Sequence, residues 1–365
     1  TMMQHARLKV TSWFAWTIFN IVFFAIFIQF GWAAKLRDFV QTRSSKLVVQ
    51  VALFTLIFST AQIAIESPLR YLTSYWVPHH FGLSAQPIQE WLLDQGKGFA
   101  VGFVLESLGW FLFFLLLSKF PKRWPIILFL ASVPLTLFMT YIEPVVFEPI
   151  FNNFETMAPS KLQRDIKVLA EKSGFADAPI FISDQHKRTN MVNAYVTGIG
   201  PTARIVIWDT TISKMPPEQV LCIVAHEIGH YKYNHVLYGC LLAIAAGLLT
   251  IPLNYLVTPR FFKHCPKVWR IQSVNDLAAI PVITLCTACL GFWEAPVINT
   301  ICRQIEHDAD MFAIHSQIDR VSCAKAFAFF AKEDLSEPNP PELIKIWLYS
   351  HPPLAERIES AINAK

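Results

Sequence analysis

His226 and His230 stand four residues apart, with Glu227 beside the first of them. The surrounding run 220–235, VLCIVAHEIGHYKYNH, contains no proline. Pro216, Pro217 and Glu218 precede it as a start signal, so the spacing predicts a helix. Residues four apart share one helix face, and both imidazoles can therefore address one ion while Glu227 activates a water on it. That is the physical content of H-E-x-x-H in zinc proteases. A catalytic zinc keeps three protein ligands and one open position, so two histidines are one donor short. Glu306 is the candidate third ligand, in the run 303–313, RQIEHDADMFA, which is free of Gly and Pro and reads as helix. Asp310 follows four residues later on the same face, placed to accept a hydrogen bond from a ligating imidazole and fix its tautomer. His235 lies five residues after His230, and on a continuous helix it is turned about 140° off the metal face. It is read as structural or interfacial, and His307, beside Glu306, is left unassigned. The donor set calls for one Zn²⁺ ion.

A second constellation lies near the C-terminus, at 349–357, YSHPPLAER. A histidine before two prolines is held extended, which suits His351 to act as a fixed donor to an oxyanion. Arg357 could orient substrate or a carboxylate. The competing reading is a proline-stopped loop followed by a surface helix.

The elements that must position these groups are mostly apolar. The chain has 365 residues, 53% hydrophobic and 16% charged, and its mean hydropathy is +0.38. A soluble domain carries about 25% charged residues, so the composition points to a membrane. Six segments approach the ~20 residues that a helix needs to cross a bilayer: Trp13–Trp32, Leu47–Ile65, Phe99–Leu117, Trp124–Ile142, Val236–Val257 and Leu277–Ala295. The first follows His5, Arg7 and Lys9 and is longer than the roughly 7–15 apolar residues of a signal core, so a retained span is expected. Four parts follow: N-terminal membrane helices at 1–142, a catalytic region with the H-E-x-x-H helix at 143–235, two membrane helices at 236–295, and a C-terminal catalytic region at 296–365. Within the second part, Ser160–Ser173 reads as an amphipathic helix with Leu162, Ile166 and Leu169 in register. Pro179–Ser183 and Arg204–Trp208 read as strands. The net charge of +4 comes without a basic stripe, which excludes nucleic acid as a partner. Seven cysteines, an odd number and mostly in apolar or helical runs, imply no disulfide framework; Cys286 and Cys289 read as small core residues.

Loop charges carry orientation. Lys35, Arg37, Arg43 and Lys46 follow the first span, Lys119, Lys122 and Arg123 the third, and Arg260, Lys263, Lys267 and Arg270 the fifth. The long stretch 66–98 has only Arg70 and Lys97. The positive-inside rule puts the three basic loops in the cytoplasm and the metal site on the other side.

In order along the chain, Phe81-Gly82-Leu83, the run 94–97 (DQGK), Ile142-Glu143-Pro144, the runs 149–154 (PIFNNF), 193–198 (NAYVTG) and 204–210 (RIVIWDT), the H-E-x-x-H, the E-x-x-A-D at 306–310 and His351-Pro352-Pro353 resemble the integral-membrane zinc metalloproteases called type I CAAX prenyl proteases. The resemblance implies a mainly α-helical membrane protein, its helices enclosing a chamber, with a small α+β zincin-like catalytic domain. It implies that His226, His230 and Glu306 bind Zn²⁺, that Glu227 is the general base, and that His351 and Arg357 reach the scissile bond. Asn193 and Ala194 would lie on an edge strand that pairs with an extended substrate. The substrate it implies is a peptide or protein, prenylated or otherwise anchored in the lipid bilayer and cut near its C-terminus. The host membrane would be the endoplasmic reticulum of a eukaryote or the inner membrane of a bacterium. A quality-control protease without a prenyl requirement, and a non-catalytic zinc transporter or scaffold, are the alternatives. The family has seven spans where six are counted here, a difference that a shortened N-terminus would explain. It also places its active site on the cytosolic face, against the loop charges.

Overall fold

The protein is described from a computed structural model covering residues 2–264, 267–316 and 318–364. Six helices are long and apolar enough to span a bilayer: α1 (Met2–Gln29), α3 (Leu47–His80), α4 (Ile88–Lys119), α5 (Trp124–Phe151), α8 (His235–Phe262) and α9 (Leu277–His315). A short helix, α2 (Trp32–Arg43), lies between the first two. In hydrocarbon every backbone polar group must be satisfied within the segment, which is why these apolar runs are helical. Their outer faces carry exposed Ile18, Val104, Leu130, Leu248 and Val297, residues that need lipid rather than water against them. Inside, Phe23, Phe27, Phe54 and Phe58 pack with Ala278 and Ala279.

Several spans outrun their apolar cores. The third helix continues past Ile65 to His80, and the sixth runs 39 residues from Leu277 to His315. At about 1.5 Å per residue a helix of that length is roughly twice the ~30 Å hydrocarbon thickness, so its C-terminal part stands clear of the bilayer. Glu306 and Asp310 ride on that extension, and the expected division at 295/296 falls inside one continuous helix.

Between α5 and α8 lies the catalytic region. Its four-stranded sheet comprises β1 (Phe154–Thr156), β2 (Ile180–Ser183), β3 (Ala194–Thr197) and β4 (Arg204–Trp208) in the order β1-β2-β4-β3. Only β2 and β4 are parallel, and β3 is an edge strand. Helix α6 (Lys161–Lys172) is started by Ser160, whose side chain accepts from the Gln163 N–H. Buried Ile166, Ile205, Ile207, Val224 and Ile228 join that helix and the sheet to α7 (Pro217–Lys232). The end of α5 is tied to the sheet: Thr197 Oγ1 on β3 donates to Glu143 at 3.0 Å, and Arg204 on β4 is paired with Glu148. The C-terminal part adds α10 (Arg320–Glu333), α11 (Glu342–Leu348) and α12 (Leu354–Asn363).

One expectation is corrected here. Cys222 on α7 and Cys323 on α10 form a disulfide between residues 101 apart in sequence. Each looks like a small apolar core residue in its own helix, and only the packing of α7 on α10 brings them together. Cys286 and Cys289 are free thiols and only half-buried, not the core positions expected.

Asp334 ends α10 with its carboxyl buried and Oδ1 without a hydrogen-bond partner among the described residues. Burial pushes this carboxyl up to about 7, although the Val192 N–H and Lys214 favour its charged form. The unfolded group ionises near 3.8, so across the interval up to about 7 unfolding releases a proton and stability falls as pH rises. Asp334→Asn is expected to raise the melting temperature at pH 8 and to leave it unchanged at pH 3, checked by thermal denaturation in detergent at both pH values.

Candidate active site

Helix α7 starts with Pro217 at its first position and Glu218 in the first turn, both favourable at a helix N-terminus. It ends at Tyr233, and Asn234 then takes a left-handed conformation with φ of 56°. The continuous helix expected over 220–235 is therefore broken, and His235 opens α8. The turn brings His235 back, with its Nδ1 2.9 Å from Nδ1 of His230. The reckoning that turned His235 away fails because it assumed one helix; His235 stays outside the donor set and fixes the ring of His230 instead.

The donors of His226, His230 and Glu306 all lie within 4.8 Å of one another. The two Nε2 atoms are 3.1 Å apart, and the Glu306 oxygens stand 3.1 Å from His226 Nε2 and 3.6 Å from His230 Nε2. Zinc–ligand bonds of about 2.0–2.2 Å in a tetrahedron separate neighbouring ligand atoms by roughly 3.3 Å, so the spacing fits. The proton inventory fits as well. His226 donates through Nδ1–H to Asp310 Oδ1 at 2.8 Å, which leaves its Nε2 as a lone pair facing a carboxylate. Lone pairs converging in this way call for a cation. Burial alone would depress the His226 imidazole, but the Asp310 and Glu306 carboxylates outweigh it and push the ring up to about 10, so the pocket draws positive charge to Nε2, as a proton or as the metal ion that replaces it.

Asp310 is buried and takes three hydrogen bonds, one from His226 and two from Arg357, whose Nε and Nη2 lie at 2.9 and 2.6 Å. The expectation that Arg357 reaches the scissile bond is not what its geometry gives. The guanidinium is buried behind His226 and stacked on Phe327 at 4.3 Å, because the first turn of α12 points it into the interface with α9 and α10. It orients a carboxylate, the other role its position allowed. His351 lies on the open side, its Nε2 3.2 Å from Glu306 and its Nδ1 3.0 Å from Ser350 Oγ, with its side chain half-exposed.

Glu227 sits between the donors and the edge strand, accepting from the Val196 N–H at 3.3 Å. Burial pushes its carboxyl up and neighbouring Glu306 adds to this, while His226 and His230 pull it down. A carboxylate held in that balance can both take and return a proton. The Asn193 carbonyl accepts from Trp208 N–H at 3.0 Å and so faces β4. By the alternation of an antiparallel pair, Ala194 and Val196 face the open edge. Asn193 contributes through its side chain, whose oxygen takes the Ala194 N–H at 2.9 Å. Val196 was not singled out in the sequence; the period of two counted from Ala194 would have found it.

Gly229 allows the close approach of α7 to α9. A Cβ there would lie 3.1 Å from Phe312 Cβ and 3.3 Å from Ala309 Cα. Gly→Ala inside a helix ordinarily stabilises by up to about 1 kcal/mol, but overpacking costs about 1–3 kcal/mol. Gly229→Ala is therefore expected to lower the melting temperature and weaken zinc affinity together, read by thermal unfolding and zinc titration.

A bundle of membrane helices carrying a two-histidine, one-glutamate donor set beside an open sheet edge defines an integral-membrane metalloprotease. Residues 158–364 match peptidase family M48, and residues 2–153 match the CAAX prenyl protease N-terminal region of five membrane helices; the chain belongs to peptidase family M48 and is a zinc metalloprotease. It is 30% identical to the uncharacterized metalloprotease YhfN of Bacillus subtilis, over 98% of this chain and 84% of that protein. It is 28% identical to CAAX prenyl protease 1 of Saccharomyces cerevisiae, over 85% of this chain and 72% of that protein. The crystal structure of S. mikatae Ste24p superposes with a TM-score of 0.87 at 23% identity, covering 99% of this chain and 88% of that one, a likeness of fold. The match to the N-terminal region spans four of the six long apolar helices and the twelve-residue α2.

Proposed function

We propose that His226, His230 and Glu306 hold one zinc ion and that the protein is an endopeptidase acting on membrane-anchored peptides, with prenylated C-terminal tails as the first substrate class. The observation that carries this reading is the placement of Glu227 between the three donors and the outward edge of β3. When bound, zinc supplies an acidified water and a Lewis acid for the carbonyl oxygen. The edge at Ala194 and Val196 offers its main-chain carbonyls to an extended peptide, their N–H groups being taken by Asn193 Oδ1 and Glu227. Glu227 takes the proton from the attacking water and delivers it to the leaving amine. His351 donates to the oxyanion from the open side. Asp310, itself held by Arg357, keeps His226 in its Nδ1–H tautomer. The membrane setting favours tails that are themselves anchored, and relatives named CAAX prenyl protease support the prenylated class. The host membrane is that of the endoplasmic reticulum in a eukaryotic source and the inner membrane in a bacterial one.

An edge strand reads backbone rather than lipid, which favours the second reading, a quality-control protease with no prenyl requirement. A farnesylated C-a-a-X peptide and its unprenylated twin separate the two. Preferential cleavage of the farnesylated peptide by purified enzyme in detergent is expected; equal rates would leave the quality-control reading, and cleavage of neither would remove both substrate classes.

A further inference from the structure

We propose that the cavity enclosed by α1, α3, α4 and α9 is a specificity subsite that takes a lysine side chain of the substrate, with Glu106 as its counter-ion and Trp13 and Trp110 beside it. The proposal rests on the protease reading for its peptide ligand; the cavity and its charge stand apart from that reading.

The cavity has a volume of about 520 Å³, within the roughly 300–1,000 Å³ of small-ligand sites. Phe24, Phe54, Phe58 and Phe292 supply much of its apolar wall. Among the described residues, no Lys, Arg or His lines it, and Glu106 is its one acidic side chain. The Glu106 Oε2 accepts from Ser59 Oγ at 3.0 Å, and its Oε1 takes no hydrogen bond among the described residues. Glu66 on α3 is the contrast: Arg70 pairs with it at 3.0 Å and Gln62 donates to it at 2.7 Å. A carboxylate inside a membrane bundle is costly unless it is paired. Glu106 has a hydroxyl but no cation, so its missing partner is a positive group brought by a ligand.

The surroundings say which cation. Trp110 follows Glu106 by four residues, on the same face of α4. Trp13 lines the same cavity from α1. Indole rings attract cations, most strongly away from water. Trp16 contributes less, because Arg70 already lies over its ring at 5.4 Å. Ser59 occupies one carboxylate oxygen, so the other suits the compact ammonium of Lys better than the bidentate fork of Arg. Depth argues against the ammonium of a phospholipid. Glu106 stands eighteen residues from the start of α4 and thirteen from its end, about 27 and 20 Å along the axis, far from the surfaces where headgroups lie.

Helix α9 sets the distance to the metal site. It lines the cavity from Ile280 to Ala295 and carries Glu306 further along. Ala288 and Ala295 precede Glu306 by eighteen and eleven residues, roughly 27 and 16 Å. An extended peptide advances about 3.3 Å per residue. A lysine held here therefore lies roughly five to eight residues from the scissile bond. A cut near the C-terminus leaves that length only upstream of the bond.

Farnesylated peptides of one sequence, with a single lysine stepped from about two to about twelve residues upstream and norleucine as its replacement, test the proposal on the zinc-loaded full chain in detergent. Lysine at about five to eight residues is expected to raise kcat/KM about 10–30-fold over norleucine, with no gain at the other positions. Glu106→Gln is expected to erase that peak. Fluorescence anisotropy with the proteolytically inactive Glu227→Gln chain is expected to show the same peak in affinity. The wild-type series needs no variant to fold. The absence of a peak, a peak that persists in Glu106→Gln, or its removal by added phosphatidylethanolamine would overturn the proposal. Cleavage of every peptide at one rate would remove the subsite and leave the protease. Lysine-dependent binding without cleavage by the wild type would do the reverse.

Discussion

Glu227→Gln is expected to lower kcat by about 10²–10⁴ while zinc remains bound at one ion per chain. The substitution keeps the shape of the side chain and an oxygen that can still accept from Val196 N–H, so the contact at 3.3 Å survives. The ability to take a proton does not survive. His226, His230 and Glu306 are untouched, and neither the donor spacing nor the Asp310 support depends on Glu227. KM should move little, because pairing along β3 is a backbone interaction. Metal content by atomic emission and steady-state cleavage of one peptide separate the two effects. An enzyme that keeps most of its kcat would remove Glu227 from the mechanism. Loss of zinc together with activity would mean that it supports the metal instead.

The local patterns in the sequence were informative wherever one element decides the outcome. H-E-x-x-H, the E-x-x-x-D of Glu306 and Asp310, and the strand at Arg204–Trp208 are each set by one period on one element, and the structure places them as that period requires. Apolar runs located all six membrane helices but not their lengths, since hydropathy marks the hydrocarbon core and α3, α4 and α9 continue beyond it. The break at Asn234 carried a signal, an asparagine just past a helical run, which the assumption of one helix overrode. What no local period contains is a meeting of distant elements. Cys222 with Cys323, Arg357 with Asp310 and Val196 with Glu227 depend on how α7, α9, α10 and α12 pack.

Asp310 is the position where stability and metal affinity are joined, and separate variants should pull them apart. Asp310→Ala leaves the Arg357 guanidinium buried without its two acceptors and removes the acceptor of His226 Nδ1. Breaking a buried pair from one side costs roughly 3–5 kcal/mol, and the stacking of Arg357 on Phe327 at 4.3 Å cannot replace a carboxylate. Losing the carboxylate behind a ligating histidine typically weakens metal binding about 10–100-fold. The double variant Asp310→Ala, Arg357→Met removes the stranded charge, and replacing a buried ion pair by apolar groups of similar volume is often close to neutral. Its melting temperature is therefore expected to recover most of the way toward wild type. Zinc affinity is not, because His226 still lacks an acceptor to hold Nδ1–H and present Nε2 as a lone pair. Thermal unfolding of the apo protein and competitive zinc titration read the two quantities independently. If affinity returned along with stability in the double variant, Asp310 would be a packing residue, and the tautomer of His226 would be set by the ion alone.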